Sequence, residues 1–247
     1  MIARLVGSEM CIRDRIDIEA SFVEERDIIE LGSSLLKLLL KDFANHNLDD
    51  IDELDYAHAI NKYGSDKPDL RIPLELLEIS DEAKKEEYKV FSDPAKNDES
   101  RVVALKVGGG NKLTRSQIDE YTNFVGKLGA KGLAYIKIND VSDIENGLQS
   151  PILKFLSKDF ITALFSKLNP VNDDLIFFGA GPSEIVNLSM SSLIKRLGKD
   201  LDLYQKDWAP CWIINFPMFE TDADNLKALH HPFTRPKDDL ENFKKDP

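Results

Sequence analysis

Residues able to do covalent or metal chemistry are sparse in this chain. Four histidines and two cysteines occur in 247 residues, and two of the histidines, His230 and His231, are adjacent. Neighbouring residues on a strand point to opposite faces, so this pair cannot readily close on one metal ion. Neither a cysteine nor a third histidine stands at a zinc-ligand spacing from them. One of the two can face a pocket while the other stacks on Pro232 and Phe233. Cys211 falls between Pro210 and Trp212 in an apolar run, which reads as core rather than as a nucleophile.

Two acidic and basic constellations are better placed. In residues 16–22 (IDIEASF), Asp17 and Glu19 share one face of an alternating strand pattern, about 7 Å apart along it. That spacing suits one carboxylate holding a substrate ammonium and the other a cation, and it suits two solvated side chains equally well. In the loop from Tyr63 to Arg71, Asp66, Lys67, Asp69 and Arg71 alternate in sign within a frame set by Gly64 and Pro68. Charge-assisted hydrogen bonds within such a loop make either an anion-contacting lip or an ordered turn. Gly108–Gly110 lacks the spacing of a dinucleotide or phosphate loop and reads as a turn. Gly179-Ala180-Gly181, just ahead of a helix opened by Pro182, is better placed for an anion.

The elements that must position these residues are set by periodicity and capping. A helix over 24–46 carries Ile28, Leu31, Leu35 and Leu38 on a wide apolar stripe, and a shorter one over 52–62 ends at Gly64. A strand over 102–107 leads to a Thr114/Gln117 capping box and a helix bearing Ile118, Tyr121, Val125 and Leu128. Strands over 133–138 and 174–178 bracket two short helices ending near Leu168. The helix from Pro182 is expected to turn Ile185, Leu188, Leu193 and Leu197 inward and to close at Gly198. Strands are expected near 211–216 and 226–231. The middle of the chain, near 90–205, therefore reads as one compact α+β unit.

Composition sets the class. With 44 acidic against 32 basic residues the formal charge is -12, which rules out a basic nucleic-acid coat although not a local patch such as Lys195, Arg196 and Lys199. Cysteines 200 positions apart make no disulfide framework, and the expectation is a reduced, cytoplasmic protein. The longest apolar run is far short of the roughly 20 residues that cross a bilayer, so no membrane partner is expected. Residues 1–15 lack the apolar core of a secretion signal, join poorly onto the strand pattern that begins at Ile16, and read as foreign to the natural chain.

Taken together, five ordered strings resemble bacterial-type aspartyl-tRNA synthetase, a class II aminoacyl-tRNA synthetase. They are IDIEASF at 16–22, KYGSDKPDLR at 62–71, LTRSQIDEYTNFVGKLGAKGLAYIKI at 113–138, KDWAPCWIINFPMFE at 206–220 and LHHPFTRPKD at 229–238. The resemblance implies an α+β protein in which a partial class II antiparallel-sheet catalytic domain is interrupted by an inserted, GAD-like α+β domain. The implied layout is an unmatched head at 1–15, a first catalytic part at 16–79, the insertion at 80–205 and a truncated second catalytic part at 206–247.

The activity implied is that of an aspartate–tRNA ligase. L-aspartate and ATP react at Mg²⁺ to give aspartyl-adenylate, and the 3′ end of tRNA(Asp) takes the aspartyl group, in a homodimer. The aspartate carboxylate is the nucleophile, so the protein needs only positioning and charge neutralisation. Residue by residue, the resemblance assigns Asp17 to the ammonium of bound aspartate with Glu19 beside it. It places His230 and His231 next to the aspartate and phosphates, and Asp66, Lys67, Asp69 and Arg71 in a supporting loop. Arg15 stands where the family has Gln. The anticodon-reading barrel, the motif 1 helix, the motif 2 and motif 3 arginines and the acidic Mg²⁺ pair have no counterpart, so no metal ligand is expected within 16–247 and this polypeptide alone is expected to be inactive. The alternative is a non-catalytic tRNA-binding or structural module related to the insertion domain of a tRNA-dependent amidotransferase. A synthetase for asparagine or lysine is disfavoured by the strings at 113–138 and 206–220, and a metal hydrolase by the histidine geometry.

Overall fold

A computed structural model describes residues 16, 18–222 and 225–229. The chain divides into two compact units, 1–51 and 52–247.

The first unit contains one described helix, α1 (Glu25–Ala44). Glu24 and Asp27 form its capping box, Lys41 sits in its last turn and Asn45 ends it in the left-handed region. Only Ile29 and Leu40 of this helix are buried, whereas Ile28, Leu31 and Leu38 are exposed. The wide stripe expected to be fully covered is thus only partly used, because the described part of this unit offers no second element to pack on. Residues 18–22 form no strand: Ile18 and Phe22 are exposed and Phe22 takes a φ of 60°. A strand exists only through its ladder, and no described segment pairs with this one.

The second unit is built on a five-stranded antiparallel sheet of order β2-β3-β6-β4-β5. Its strands are β2 (Leu76–Glu78), β3 (Ser100–Val107), β4 (Ala134–Ile138), β5 (Leu148–Gln149) and β6 (Leu175–Pro182). Alternation along β3 and β6 supplies both faces with apolar side chains. Val103, Leu105, Val107, Leu175 and Phe177 point to one side, and Val102, Ala104, Ile176 and Phe178 to the other.

Helices cover each face. On the first lie α5 (Arg115–Gly126), through Ile118, Tyr121 and Val125, and α7 (Ser183–Asp200), through Val186, Met190, Leu193 and Leu197. On the second lie α3 (Ser80–Ala83), α4 (Lys89–Ala95) and α6 (Lys158–Leu168), through Ala83, Phe91, Phe160 and Leu164. The expected Thr114/Gln117 box caps α5 reciprocally, and at the start of α6 the Ser157 hydroxyl accepts from the Phe160 amide.

The inward face of α7 differs from the expected one. Leu188 is exposed and the stripe runs Val186, Met190, Leu193, Leu197. The cause is Gly179, which lies inside β6 opposite Val103, not in an anion-binding loop. A Cβ there would sit 2.7 Å from Met190 Cγ, so the missing side chain is the socket that sets the helix phase. Gly198 likewise does not close α7, which continues to Asp200, but lets Ile72 pack against the helix backbone.

A second, two-stranded sheet pairs β1 (Asp52–Asp55) parallel to β7 (Cys211–Ile214), with Asp52 opposite Cys211 and Asp55 opposite Ile214. The sequence pattern begins a helix at residues 52–55. They join the ladder instead, and α2 (Tyr56–Tyr63) starts behind Asp55, whose carboxylate accepts from the Ala57 amide. The strand expected over 226–231 is β9 (Asn225–Ala228), which pairs with β8 (Phe219–Asp222) in a separate hairpin. No described helix is long and apolar enough to cross a membrane.

A methyl group at position 198 would collide first with Ile72 Cδ1, the atom valine lacks, and fall 2.7 Å from its Cγ1. Gly198→Ala should therefore lower stability by about 1–3 kcal/mol through overpacking. Ile72→Val, added to the same chain, should restore part of it. Urea unfolding midpoints of parent, single and double variant check this, read against the roughly 1 kcal/mol that alanine gains over glycine within a helix, and an Ile72→Val that restores nothing would disprove the contact.

Candidate functional site

The loop that joins α2 to β2 is the best-defined candidate. Gly64 ends α2 with a φ of 64°, and any Cβ there would meet the Asn187 carbonyl of α7 at 2.7 Å, so conformation and space both demand glycine. Ser65 accepts from the Lys67 amide through Oγ at 3.0 Å. Lys67 Nζ stands 3.8 Å from Asp66, on an exposed side chain.

Arg71 is held more firmly. Its Nε donates to Asp69 Oδ1 at 2.8 Å and its Nη2 to Oδ2 at 2.7 Å, a bidentate fork, while its guanidinium lies 4.9 Å over the Tyr204 ring. The Arg71 hydrogen bonds hold the Asp69 carboxyl below its usual value, and Lys195 adds a weaker pull in the same direction. Behind the loop the Arg71 carbonyl accepts from the Gln205 amide at 2.9 Å, and Ile72 enters the core beside Gly198. The residues entering the five-stranded body and those leaving it are therefore tied together here. The charges of Asp69 and Arg71 answer each other, so this pair orders the loop rather than presenting a free cation.

A second constellation lies where α2, β2, β3 and α7 meet. Arg101 is buried, with a side chain only 8% exposed. Its Nε donates to Glu78 Oε2 at 2.9 Å, and Nη1 to Asn187 Oδ1 at 2.7 Å and to the Ile60 carbonyl at 3.2 Å. Nη2 donates to the Asn61 carbonyl at 3.1 Å and stands 2.8 Å from Glu78 Oε2. No motif in the sequence singles out this arginine. The one visible signal is a lone cation at the start of an apolar strand, a place where an arginine must find partners. Beside it opens a cleft of about 310 Å³ whose lining includes Ser80, Glu82, Ser100, Lys167 and Ser183. Glu82 and Lys167 pair across it at 2.6 Å.

Reactive groups elsewhere are damped. Burial and Asp52 raise the Cys211 thiol, which favours the protonated form. Burial with Glu75 pushes Tyr63 up to about 12, and burial with Asp200 does the same for Tyr121. Gly109 sits in a left-handed turn hydrogen-bonded to the buried Asp174. Among the described residues no group of three or more His, Cys, Asp or Glu side chains is placed to hold a metal ion. Glu19 is exposed in the first unit, while Asp17, His230 and His231 lie outside the described residues.

Because the Asp69 value is depressed in the fold, its contribution to stability is complete above the unfolded-state value of a carboxylate. It is lost as pH falls through the folded one. Asp69→Asn should cost about 1 kcal/mol near neutral pH, discounted for partial exposure. The gap between variant and parent should close in acid; urea midpoints at neutral and acidic pH test the pair, and a gap that persists in acid would assign the loss to packing instead.

With this geometry in place, comparison with protein families gives one assignment. Residues 91–190 match the family described as GAD domain, so that a GAD-like domain occupies the stretch from α4 to the middle of α7.

Proposed function

We propose that the chain is part of a bacterial-type aspartate–tRNA ligase in which the GAD-like domain is spliced into a class II catalytic domain. The observation that carries this reading is the parallel pairing of β1 with β7. One strand precedes the matched domain and the other comes after it, yet they lie side by side in register. Asn215 Nδ2 donates to the Asp55 carboxylate at 2.8 Å, and the Tyr56 and Phe216 rings lie 4.6 Å apart. Two flanks that make one small sheet are what an insertion into a single parent domain requires.

In this reading the parts are 16–79 and 206–247, with 80–205 between them. The ligands are L-aspartate, ATP with Mg²⁺, and tRNA(Asp), and the parent is a homodimer. Asp17 pairs with the substrate ammonium and Glu19 lies on the same floor. His230, and less centrally His231, stand beside the aspartate and phosphate groups. Asp69 and Arg71, with Asp66 and Lys67, play a supporting part by ordering the stem of the insertion. Activation needs cations on the transferring phosphate, and each well-placed donor removed typically costs roughly 10²–10³ in rate. The polypeptide alone is therefore inactive.

The test is a graft. Residues 16–247 replace the matching stretch of a bacterial aspartyl-tRNA synthetase, and aspartate-dependent pyrophosphate exchange and tRNA(Asp) charging are measured. The expected outcome is activity in the graft and none in the isolated chain. Asp17→Asn in the graft should raise the KM for aspartate by roughly 10²-fold, the scale of losing one partner of a buried charge pair. A folded graft without exchange activity, or one indifferent to Asp17, overturns the reading.

A further inference from the structure

We propose that Arg101 is a latch that holds α2, and through it the β1/β7 ribbon, on the five-stranded body, and that releasing it lets ribbon and helix swing as one piece. The ribbon reaches the body by a narrow route. The main contacts of β1 and β7 are with each other and with α2, and α2 in turn lies against β2 and α7. Whatever fixes α2 therefore fixes the ribbon.

Arg101 grips α2 at its C-terminal end. Carbonyls in the last turn of a helix are left without intrahelical donors and carry the negative end of the dipole. Two carbonyls there accept from the guanidinium of Arg101: that of Ile60, which also takes the Gly64 amide, and that of Asn61. The remaining contacts of that guanidinium reach Glu78 on β2 and Asn187 on α7, both in the body. One side chain thus joins the helix end to a strand and a helix of the body, with Glu78 in turn accepting from Ser80 Oγ at 2.5 Å and Ser80 Oγ accepting from the Val102 amide.

The device can open because its two sides differ in burial. The Arg101 side chain is buried, whereas Glu78 is 46% exposed and the adjoining cleft admits water to the latch. The β3 backbone does not depend on the latch, since its ladder with β6 is continuous from Ser100 to Val107. Opening therefore costs the bonds to α2 while leaving the sheet intact. The latch concerns this chain's own mechanics and stands or falls separately from the ligase reading.

Hydrogen exchange on the full chain tests it. In Arg101→Met, amides of 56–64 and 211–214 should exchange at least roughly ten-fold faster, while those of β3, β4 and β6 stay within about three-fold of the parent. Asn187→Ala provides an independent check, because alanine is the better helix former and does not weaken α7. It should open the same two segments by a smaller factor. If protection falls evenly across ribbon and sheet in Asn187→Ala, or if the ribbon is unaffected in both variants, the latch is disproved. Should Arg101→Met fail to fold, the Asn187→Ala profile decides alone.

Discussion

A guanidinium taken out of water has to be answered by acceptors on every side, and at Arg101 those acceptors come from three elements around its own strand. Stripping water from such an ion costs several kcal/mol, and removing one partner of a buried pair typically costs about 3–5 kcal/mol because the other is left unanswered. The position of Arg101 at the start of β3, opposite Gly181 of β6, is fixed by the ladder. Glu78, Asn187 and the end of α2 must come to it. That requirement is met by Glu78 of β2 at the sheet edge, by the face of α7 that carries Asn187, and by the end of α2. Gly64 obeys the same geometry, since the chain has to turn sharply within reach of the Asn187 backbone.

The loop at 64–72 takes its meaning from the same region. Its charges resemble a binding lip when read as a string, but Arg71 spends its planar fork on Asp69 and its face on Tyr204. The Gln205 amide bonded to the Arg71 carbonyl, and Ile72 set against Gly198, join the chain entering the body to the chain leaving it. In the ligase reading a domain inserted into another needs its two ends close together, and these contacts would keep them so. The β1/β7 pairing continues the same closure outward. The loop's order thus serves the junction first, and any role toward a substrate is exercised through the position of that junction.

Local chemistry is legible in the sequence wherever one residue type determines one geometry. The Thr114/Gln117 box and the helix-ending Gly64 both stand where composition and spacing put them. Anything decided by a distant partner is not. Residues 52–55 resemble the first turn of a helix until β7, more than 150 positions later, supplies a ladder. Gly179 and Gly181 resemble a phosphate loop until β3 pairs with them, and Met190 rather than Leu188 faces inward because Gly179 leaves it a socket. Arg101 escapes notice because nothing near it in the chain hints at Asn187. Of the candidate site, the supporting loop is placed and its bonding known, while Asp17, His230 and His231 are named by resemblance and fall outside the described residues.

The distribution of charge explains why the described body reads as a scaffold. Its buried or half-buried polar groups are largely matched internally: Arg101 by Glu78, Lys167 by Glu82, Arg71 by Asp69, and Glu86 by the Ser157 amide and hydroxyl. Lys137 is spent on the Asn111 and Leu113 carbonyls behind the glycine turn. The Cys211 thiol and the Tyr63 and Tyr121 phenols are pushed up, which favours their protonated forms. A reacting centre needs the opposite condition, an unmatched group held ready for a substrate to complete. In the ligase reading that condition falls to Asp17 and Glu19 and to the histidine pair, and the GAD-like domain contributes rigidity at the junction. The -12 formal charge is that of the whole chain, and in the ligase reading a surface of that sign leaves nucleic-acid contacts to local basic patches.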